Sequence, residues 1–141
     1  MNLKDLRAFY VDHLFNTLLS FWLRYGIDHE HGGFFTCFNN AGDLPKSKHK
    51  YTWSQGRFLW MLSRVLYAFR GYTDERNLRE IREAAEKGAA FLKQYALLAN
   101  GNCAWVLDEE GRPILTNRDG SIREKTPGDT YDLGIAADEF I

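Results

Sequence analysis

Two strings of this chain decide its fold: FWLRYGIDHEHGGFFTCFNNAGDL at residues 21–44 and KYTWSQGRFLWMLSRVL at residues 50–66. In the first string, paired glycines are followed by an aromatic and β-branched run at Phe34–Phe38. Turn-forming residues at Asn39–Gly42 close that run. Aromatic and β-branched residues favour extended backbone, so this string predicts one short strand followed by a turn.

The second string predicts a helix. Its apolar residues between Phe58 and Phe69 recur at steps of three and four residues, which places them on one helical face. Thr52 and Gln55 have the spacing of a capping box, in which each side chain satisfies a backbone N–H group of the other. We therefore expect the helix to begin near Thr52 and to end near Gly71.

Two further helices follow from the same periodicity. The stripe from Leu3 to Trp22 predicts a first helix, with Asn2 as its N-cap and Gly26 marking its end. Apolar positions between Asp74 and Leu98 predict another, and its charged side is typical of a solvated face.

Beyond Gly101 the pattern predicts a short β-hairpin formed by Cys103–Leu107 and Pro113–Thr116. Pro127 and Asp129 then suggest the start of a fourth helix. The apolar positions expected in it are Leu133, Ile135, Ala136 and Phe140. Long helices with short strands between them favour stacked helical hairpins, although periodicity alone leaves a plain helical bundle equally open.

Composition narrows the functional class. The chain has 141 residues, a formal net charge of −1 and two cysteines. This charge argues against a general nucleic-acid binder. No apolar run is long enough for a membrane span, and the first residues lack the apolar core of a signal peptide. With no disulfide framework to indicate an oxidising compartment, we expect a cytoplasmic protein with no membrane contact.

The two strings together resemble the N-terminal signature of the N-acylglucosamine 2-epimerase family, which includes cellobiose 2-epimerases. The shared features are a helix that ends in Phe21-Trp22, a D-x-E-x-G-G-F turn, and the motif K-x-x-W-x-Q-G-R at the start of the next helix. The resemblance is strong through about Leu66 and looser beyond it, where Tyr131-Asp132-Leu133 replaces the family's usual helix start.

The resemblance implies an all-α (α/α)6 barrel, of which residues 1–141 would form the first few helices with short β-hairpin ornaments. It also implies a sugar 2-epimerase or aldose–ketose isomerase. Such enzymes remove the C2 proton of an open-chain sugar to form an enediolate, and then return a proton to C2 or to C1. The substrate would be a mono- or disaccharide, and no cofactor is implied. By resemblance the candidates are N-acetylmannosamine and N-acetylglucosamine, glucose and mannose, or cellobiose.

The same resemblance assigns four substrate-binding residues. Arg57 matches the family arginine that contacts substrate oxygens near C1 and C2, and a guanidinium suits a developing oxyanion because it is always charged. Tyr51 and Trp53 would form a wall of the sugar pocket, and Trp105 would be a lid or platform. The alternative for Arg57 is an ion pair that joins two helices, and for the aromatic residues it is packing.

No catalytic residue is assigned, because the family's acid/base groups are histidines of later helices. The four histidines here, His13, His29, His31 and His49, do not occupy those positions. Asp28-His29-Glu30-His31 resembles a metal site but lacks a third ligand at a readable spacing, so we expect a structural turn and no metal.

Two alternatives stay open. One is a glycoside hydrolase on the same type of barrel, which needs two positioned carboxylates. The other is a non-catalytic chain that binds a sugar, a partner or itself, for example as a homodimer. An incomplete ring exposes apolar surface, so we expect residues 1–141 alone to be oligomeric or poorly stable, and inactive.

Overall fold

A computed structural model of the chain describes residues 2–136. Within these residues the chain forms three long helices and eight short strands. The first helix, α1, is α-helical over Leu3–Asp12 and Ser20–Tyr25 and π-helical over His13–Leu19. Helix α2 spans Thr52–Ala68 and is followed by a 3-10 turn at Arg70–Tyr72. Helix α3 spans Glu75–Phe91 and continues in π-helical form over Leu92–Ala96.

The strands pair antiparallel in four two-stranded sheets. The sheets are β1–β2, β3–β5, β4–β8 and β6–β7. In chain order the strands are Cys37–Phe38, Pro45–Ser47, Lys50–Tyr51, Asn102–Ala104, Val106–Leu107, Leu115–Thr116, Ile122–Arg123 and Asp132–Ala136. No helix within residues 2–136 is both long enough and apolar enough to cross a bilayer.

The predicted helix starts at Asn2 and Asp74 are confirmed. Asn2 Oδ1 accepts hydrogen bonds from the backbone N–H groups of Lys4 and Asp5, both at 3.0 Å. Asp74 caps α3 in the same way through the N–H of Asn77, at 2.8 Å. Both caps satisfy N–H groups that have no partner inside the helix.

The core lies between the three helices. It contains Phe15 and Leu19 of α1, Phe58, Leu62 and Val65 of α2, and Ile81, Ala84 and Ala85 of α3. Phe34, from the loop before β1, completes it and stacks on Phe58 with a centroid distance of 4.3 Å. The first ten residues of α1 contribute no buried side chain, so their apolar stripe predicted the helix but not its burial.

The predicted capping box at Thr52 and Gln55 is wrong. Helix α2 does begin at Thr52, but Tyr51 is its N-cap and offers no side-chain hydrogen bond. The Gln55 amide instead binds the backbone of Phe34, accepting from its N–H and donating to its carbonyl, both at 2.7 Å. Thr52 Oγ1 is buried and has no hydrogen-bond partner among the described residues. The hydrogen bonds between Gln55 and Phe34 have therefore replaced those predicted between Gln55 and Thr52.

The predicted hairpin forms only in part, where residues 106–107 meet residues 113–114, and the predicted fourth helix is wrong. Leu115–Thr116, the end of the second predicted strand, pairs instead with Ile122–Arg123. Leu107 forms a bridge with Pro113, and the Ile114 N–H donates to the Val106 carbonyl at 3.1 Å. The segment Asp132–Ala136 is strand β8, paired with Asn102–Ala104. Leu133 and Ile135 alternate with a period of two, which is the strand period. The predicted apolar position Phe140 lies outside the described residues.

Candidate functional site

The start of α2 brings the predicted sugar-binding residues onto one exposed surface. Trp53 and Arg57 lie one helical turn apart, as their spacing predicts. The Arg57 guanidinium carbon is 4.0 Å from the centroid of the Trp53 ring, in a cation–π contact. Trp53 is 51% exposed, so the pair faces outward and does not pack into the core.

Strand pairing brings Trp105 to the same end of the helix. Tyr51 in β3 lies opposite Val106 in β5, and the Thr52 N–H donates to the Trp105 carbonyl at 3.1 Å. The Tyr51 and Trp105 rings meet edge to face with centroids 6.1 Å apart. Trp105 is 48% exposed. The fold thus places all four predicted residues near the N-terminus of α2. There Arg57 contacts Trp53, and Tyr51 contacts Trp105.

The Arg57 side chain is exposed. Within residues 2–136 its guanidinium has no carboxylate at ion-pair distance, so the structure does not support the alternative that it ties two helices together. The contact with Trp53 holds the guanidinium against the exposed indole ring. Such a group can donate two hydrogen bonds to neighbouring oxygens of one ligand.

A cleft of about 780 Å³ lies beside Tyr51, which is one of its lining residues. Lys46, Lys48 and His49 line one part of the cleft and acidic residues such as Glu110 line another. Trp53, Arg57 and Trp105 are not among the residues that line this cleft. The four residues are therefore two contacting pairs, of which Tyr51 also lines the cleft.

Below this surface a buried ion pair holds three segments together. The Lys50 ammonium, fully buried, donates to Asp28 Oδ2 at 2.6 Å, to the Gly32 carbonyl at 2.7 Å and to the Glu109 carbonyl at 2.6 Å. An ammonium has three protons, and all three are used. Lys50 therefore links the glycine turn, strand β3 and the hairpin loop, and fixes where Tyr51 leaves β3.

The charge state of Asp28 follows from this arrangement. Burial acts most strongly and raises the pKa of its carboxyl. Against it, hydrogen bonds from Lys50 and from the backbone N–H groups of His31 and Glu30, together with the Lys50 charge, lower the pKa below its ordinary value. The net effect keeps Asp28 ionised and paired at neutral pH.

The structure supplies the third acidic or imidazole group that the local sequence lacked. Asp28, His31 and Glu109 each offer a ligand atom within 4.8 Å of the others. However, the Lys50 ammonium lies on Asp28 and the Lys48 ammonium on Glu109. A divalent cation here would face two like charges at close range, which is strongly unfavourable. The cluster fits an ion-pair network better than a metal site.

Gly32 and Gly33 allow the tight turn next to this network, as the sequence predicts. Their φ angles are +82° and +74°, a region that disfavours residues with a Cβ. A Cβ at Gly33 would lie 2.9 Å from Gln55 Oε1, the atom that accepts from Phe34. A side chain at Gly33 would therefore disturb the hydrogen bond between Gln55 and Phe34.

Comparison with known proteins identifies the family. The sequence model of the N-acylglucosamine 2-epimerase (GlcNAc 2-epimerase) family matches residues 33–120. This chain belongs to that family. The N-acylglucosamine 2-epimerase of Rattus norvegicus is 40% identical to it over 106 residues, which are 73% of this chain and 24% of the relative. The Homo sapiens protein of the same name is 38% identical over 103 residues, 72% of this chain and 23% of the relative.

Solved structures of sugar epimerases have a similar fold. The cellobiose 2-epimerase from Spirochaeta thermophila DSM 6192 superposes with a TM-score of 0.65 at 26% identity, covering 79% of this chain and 26% of that one. A sugar epimerase from a ruminal bacterium superposes with a TM-score of 0.60 at 24% identity, covering 74% and 25%. This family member spans about a quarter of the length of the proteins it matches.

Sequence reasoning predicted the four candidate sugar-binding residues but missed two buried polar groups close to them in the chain, Lys50 and Gln55. Lys50 and Gln55 both lie inside the motif K-x-x-W-x-Q-G-R of this N-acylglucosamine 2-epimerase family member. Each is fully buried although lysine and glutamine are usually exposed. The available signal for their burial was that both polar residues belong to the motif, Lys50 just before the helix and Gln55 in its first turn.

Proposed function

We propose that this chain forms the N-terminal part of a sugar 2-epimerase or aldose–ketose isomerase, and that Arg57, Trp53, Tyr51 and Trp105 contact the sugar. One observation carries the proposal. Arg57 is stacked on Trp53, exposed, and without a carboxylate partner in the described part of the chain. An unpaired guanidinium held on an aromatic ring suits a ligand that has both hydroxyl groups and an apolar C–H face.

In the proposed reaction a base removes the proton at C2 of the open-chain sugar, next to the carbonyl carbon. The electron pair moves onto the carbonyl oxygen and gives an enediolate. Arg57 donates hydrogen bonds to the oxygens at C1 and C2, where negative charge develops. Return of a proton to the opposite face of C2 gives the epimer, and return to C1 gives the ketose. By resemblance, the base and acid are histidines in a part of the family fold that this chain does not span.

The proposed fold of the whole protein is an (α/α)6 barrel, with residues 1–141 as the first portion of one domain. The three packed helices and the similarity to solved epimerases support this proposal. As substrate we propose an N-acylated hexosamine. The relatives that are 38–40% identical carry the name N-acylglucosamine 2-epimerase, whereas the cellobiose 2-epimerase is only 26% identical.

Binding by the chain itself can be tested by NMR, with N-acetylmannosamine as the ligand. We expect chemical-shift changes at the indole N–H groups of Trp53 and Trp105, with those of Trp22 and Trp60 unchanged. Arg57→Ala should weaken binding about tenfold, because charge-assisted hydrogen bonds to the sugar oxygens are lost. Arg64→Ala, an exposed arginine two turns further along α2, is the matched control. Equal binding by both variants would contradict the assignment.

The reaction requires the protein as its own cell makes it. In deuterated water it should exchange the C2 proton of N-acetylmannosamine, and its intact mass should exceed that of 141 residues. The 141-residue chain alone should give no exchange. Cleavage of a chromogenic glycoside without exchange at C2 would instead favour the glycoside hydrolase alternative.

A further inference from the structure

The backbone of Trp105 is hydrogen-bonded to two different parts of the chain. Its carbonyl accepts from the Thr52 N–H at 3.1 Å, and its own N–H donates to the Tyr131 carbonyl at 2.7 Å. The first bond joins Trp105 to the start of α2. The second joins it to the end of the loop 124–131, which connects β7 to β8. The position of the half-exposed Trp105 ring therefore depends on a loop that lies outside the two strings of the family signature.

An ion pair closes this loop. Arg123, at the end of β7, donates two hydrogen bonds to the Asp129 carboxylate, from Nη1 to Oδ2 at 2.6 Å and from Nη2 to Oδ1 at 2.8 Å. The backbone N–H and the hydroxyl of Thr126 also donate to Asp129 Oδ2, at 2.8 and 2.6 Å. Four hydrogen bonds thus meet at one carboxylate. The three side chains of Arg123, Thr126 and Asp129 form a loop clamp.

The loop backbone is folded to suit the clamp. The Asp129 N–H donates to the Thr126 carbonyl at 3.0 Å, and Gly128 has a φ angle of +92°. Proline as the second residue and a glycine of positive φ as the third are typical of a type II turn. Hydrogen bonds from Arg123 and Thr126 hold the pKa of Asp129 well below its ordinary value, so the carboxylate is charged and the clamp is closed at neutral pH.

Strand pairing alone restrains this region weakly. Strands β4 and β8 form a two-stranded sheet whose register shifts between Asn102 and Ala104, next to Trp105. A two-stranded sheet by itself is at best marginally stable in water. Because the clamp shortens the freely moving part of the loop, it lowers the entropy cost of bringing Tyr131 to Trp105.

We propose that the loop clamp positions Trp105 for sugar binding, and that Arg123 and Asp129 are positioning residues of the sugar site. This inference rests on the proposed function, in which Trp105 contacts the sugar. Exposed ion pairs usually contribute little, but two parallel hydrogen bonds between a guanidinium and a carboxylate are the geometry in which such a pair does contribute. The side chains of Arg123 and Asp129 are only 33% and 22% exposed.

The position of Trp105 can be measured without a sugar, by NMR. In Arg123→Leu and in Asp129→Leu the backbone amide hydrogen of Trp105 should exchange with solvent about tenfold faster, and its indole N–H resonance should shift. Arg76→Leu, which removes an exposed ion pair with Glu80 on α3, is the matched control and should change neither. Thermal melts establish that each variant is folded. Unchanged exchange and an unchanged resonance in both clamp variants would overturn the inference.

The affinity for N-acetylmannosamine then shows whether this position matters to the ligand. Each clamp variant should weaken binding about fivefold, and the double variant should weaken it no further, because the two residues act as one unit. Arg123→Lys keeps the charge but not the two parallel bonds, so its affinity should be intermediate.

The outcomes separate this inference from the proposed function. If the wild-type chain binds no sugar, the proposed function is refuted, whereas faster Trp105 exchange in the clamp variants would still support the positioning role. Additive losses in the double variant, or wild-type affinity in a variant whose Trp105 resonance has shifted, would refute the role of the clamp in sugar binding.

Discussion

Replacing Lys50 with methionine should destabilise the fold by about 3–5 kcal/mol, the usual cost of removing one partner from a buried ion pair. Methionine retains most of the side-chain volume, so the loss is mainly electrostatic. The Asp28 carboxylate, 3% exposed, would lose its ammonium partner and keep the backbone N–H groups of Glu30 and His31. The carbonyls of Gly32 and Glu109 would each lose a donor as well.

The assay is urea unfolding followed by far-UV circular dichroism, with Lys46→Met as an exposed control that should change stability by less than about 0.5 kcal/mol. The double variant Asp28→Asn/Lys50→Met should lose less than the sum of the two single variants, because no charge is then left buried. A coupling free energy of about 1–3 kcal/mol is expected.

The pH dependence provides an independent check. The folded-state pKa of Asp28 is lowered, so its contribution to stability is present above the ordinary value of 3.8 and is lost as the pH falls through the folded-state pKa. In Lys50→Met the hydrogen bond and the charge of Lys50, which lower this pKa, are gone, while the burial that raises it remains. The stability difference between the two proteins should therefore shrink on acidification. A difference below about 1 kcal/mol at neutral pH, or one that grows in acid, would refute the reasoning.

Two further predictions concern the core around Phe34. Gln55→Leu should cost about 1–3 kcal/mol, because the N–H and carbonyl of Phe34 lose their partners in a buried site; the exposed Gln94→Leu is the control, and equal urea midpoints would contradict the assignment. Gly88→Ala should destabilise by about 1–3 kcal/mol despite the better helix propensity of alanine, because its Cβ would lie 2.3 Å from the Phe34 ring. Gly71→Ala, with open space around the Cβ, should be nearly neutral in a thermal melt, and equal melting temperatures of the two glycine variants would show that the ring adjusts freely.

Local interactions explain which parts of the fold were predictable. The starts of α1 and α3 depend on Asn2 and Asp74, whose side chains bind N–H groups two or three residues away. The contact between Trp53 and Arg57 likewise follows from a spacing of one helical turn. These features need only a few neighbouring residues, so the sequence is sufficient to predict them.

Contacts between residues distant in sequence explain the wrong predictions at Gln55 and at Asp132–Ala136. Gln55 has the spacing of a capping residue, but the backbone of Phe34, 21 residues away, offers two good hydrogen bonds in a buried site. Likewise Asp132–Ala136 has helix-compatible apolar residues, but it pairs with Asn102–Ala104 as a strand. In both cases a partner distant in sequence outweighs the local preference, as tertiary context often does.

The sequence by itself determined the three long helices, the glycine turn and the family signature, because each of these depends on residues that are close together in the chain. Only the tertiary structure decided that Trp105 meets Tyr51, since that contact depends on the pairing of β3 with β5. It also decided that Lys50 joins Asp28 to a hairpin loop 59 residues further along the chain. The physical reason is that burial, which makes such polar contacts strong, is a property of the packed chain and not of any local segment.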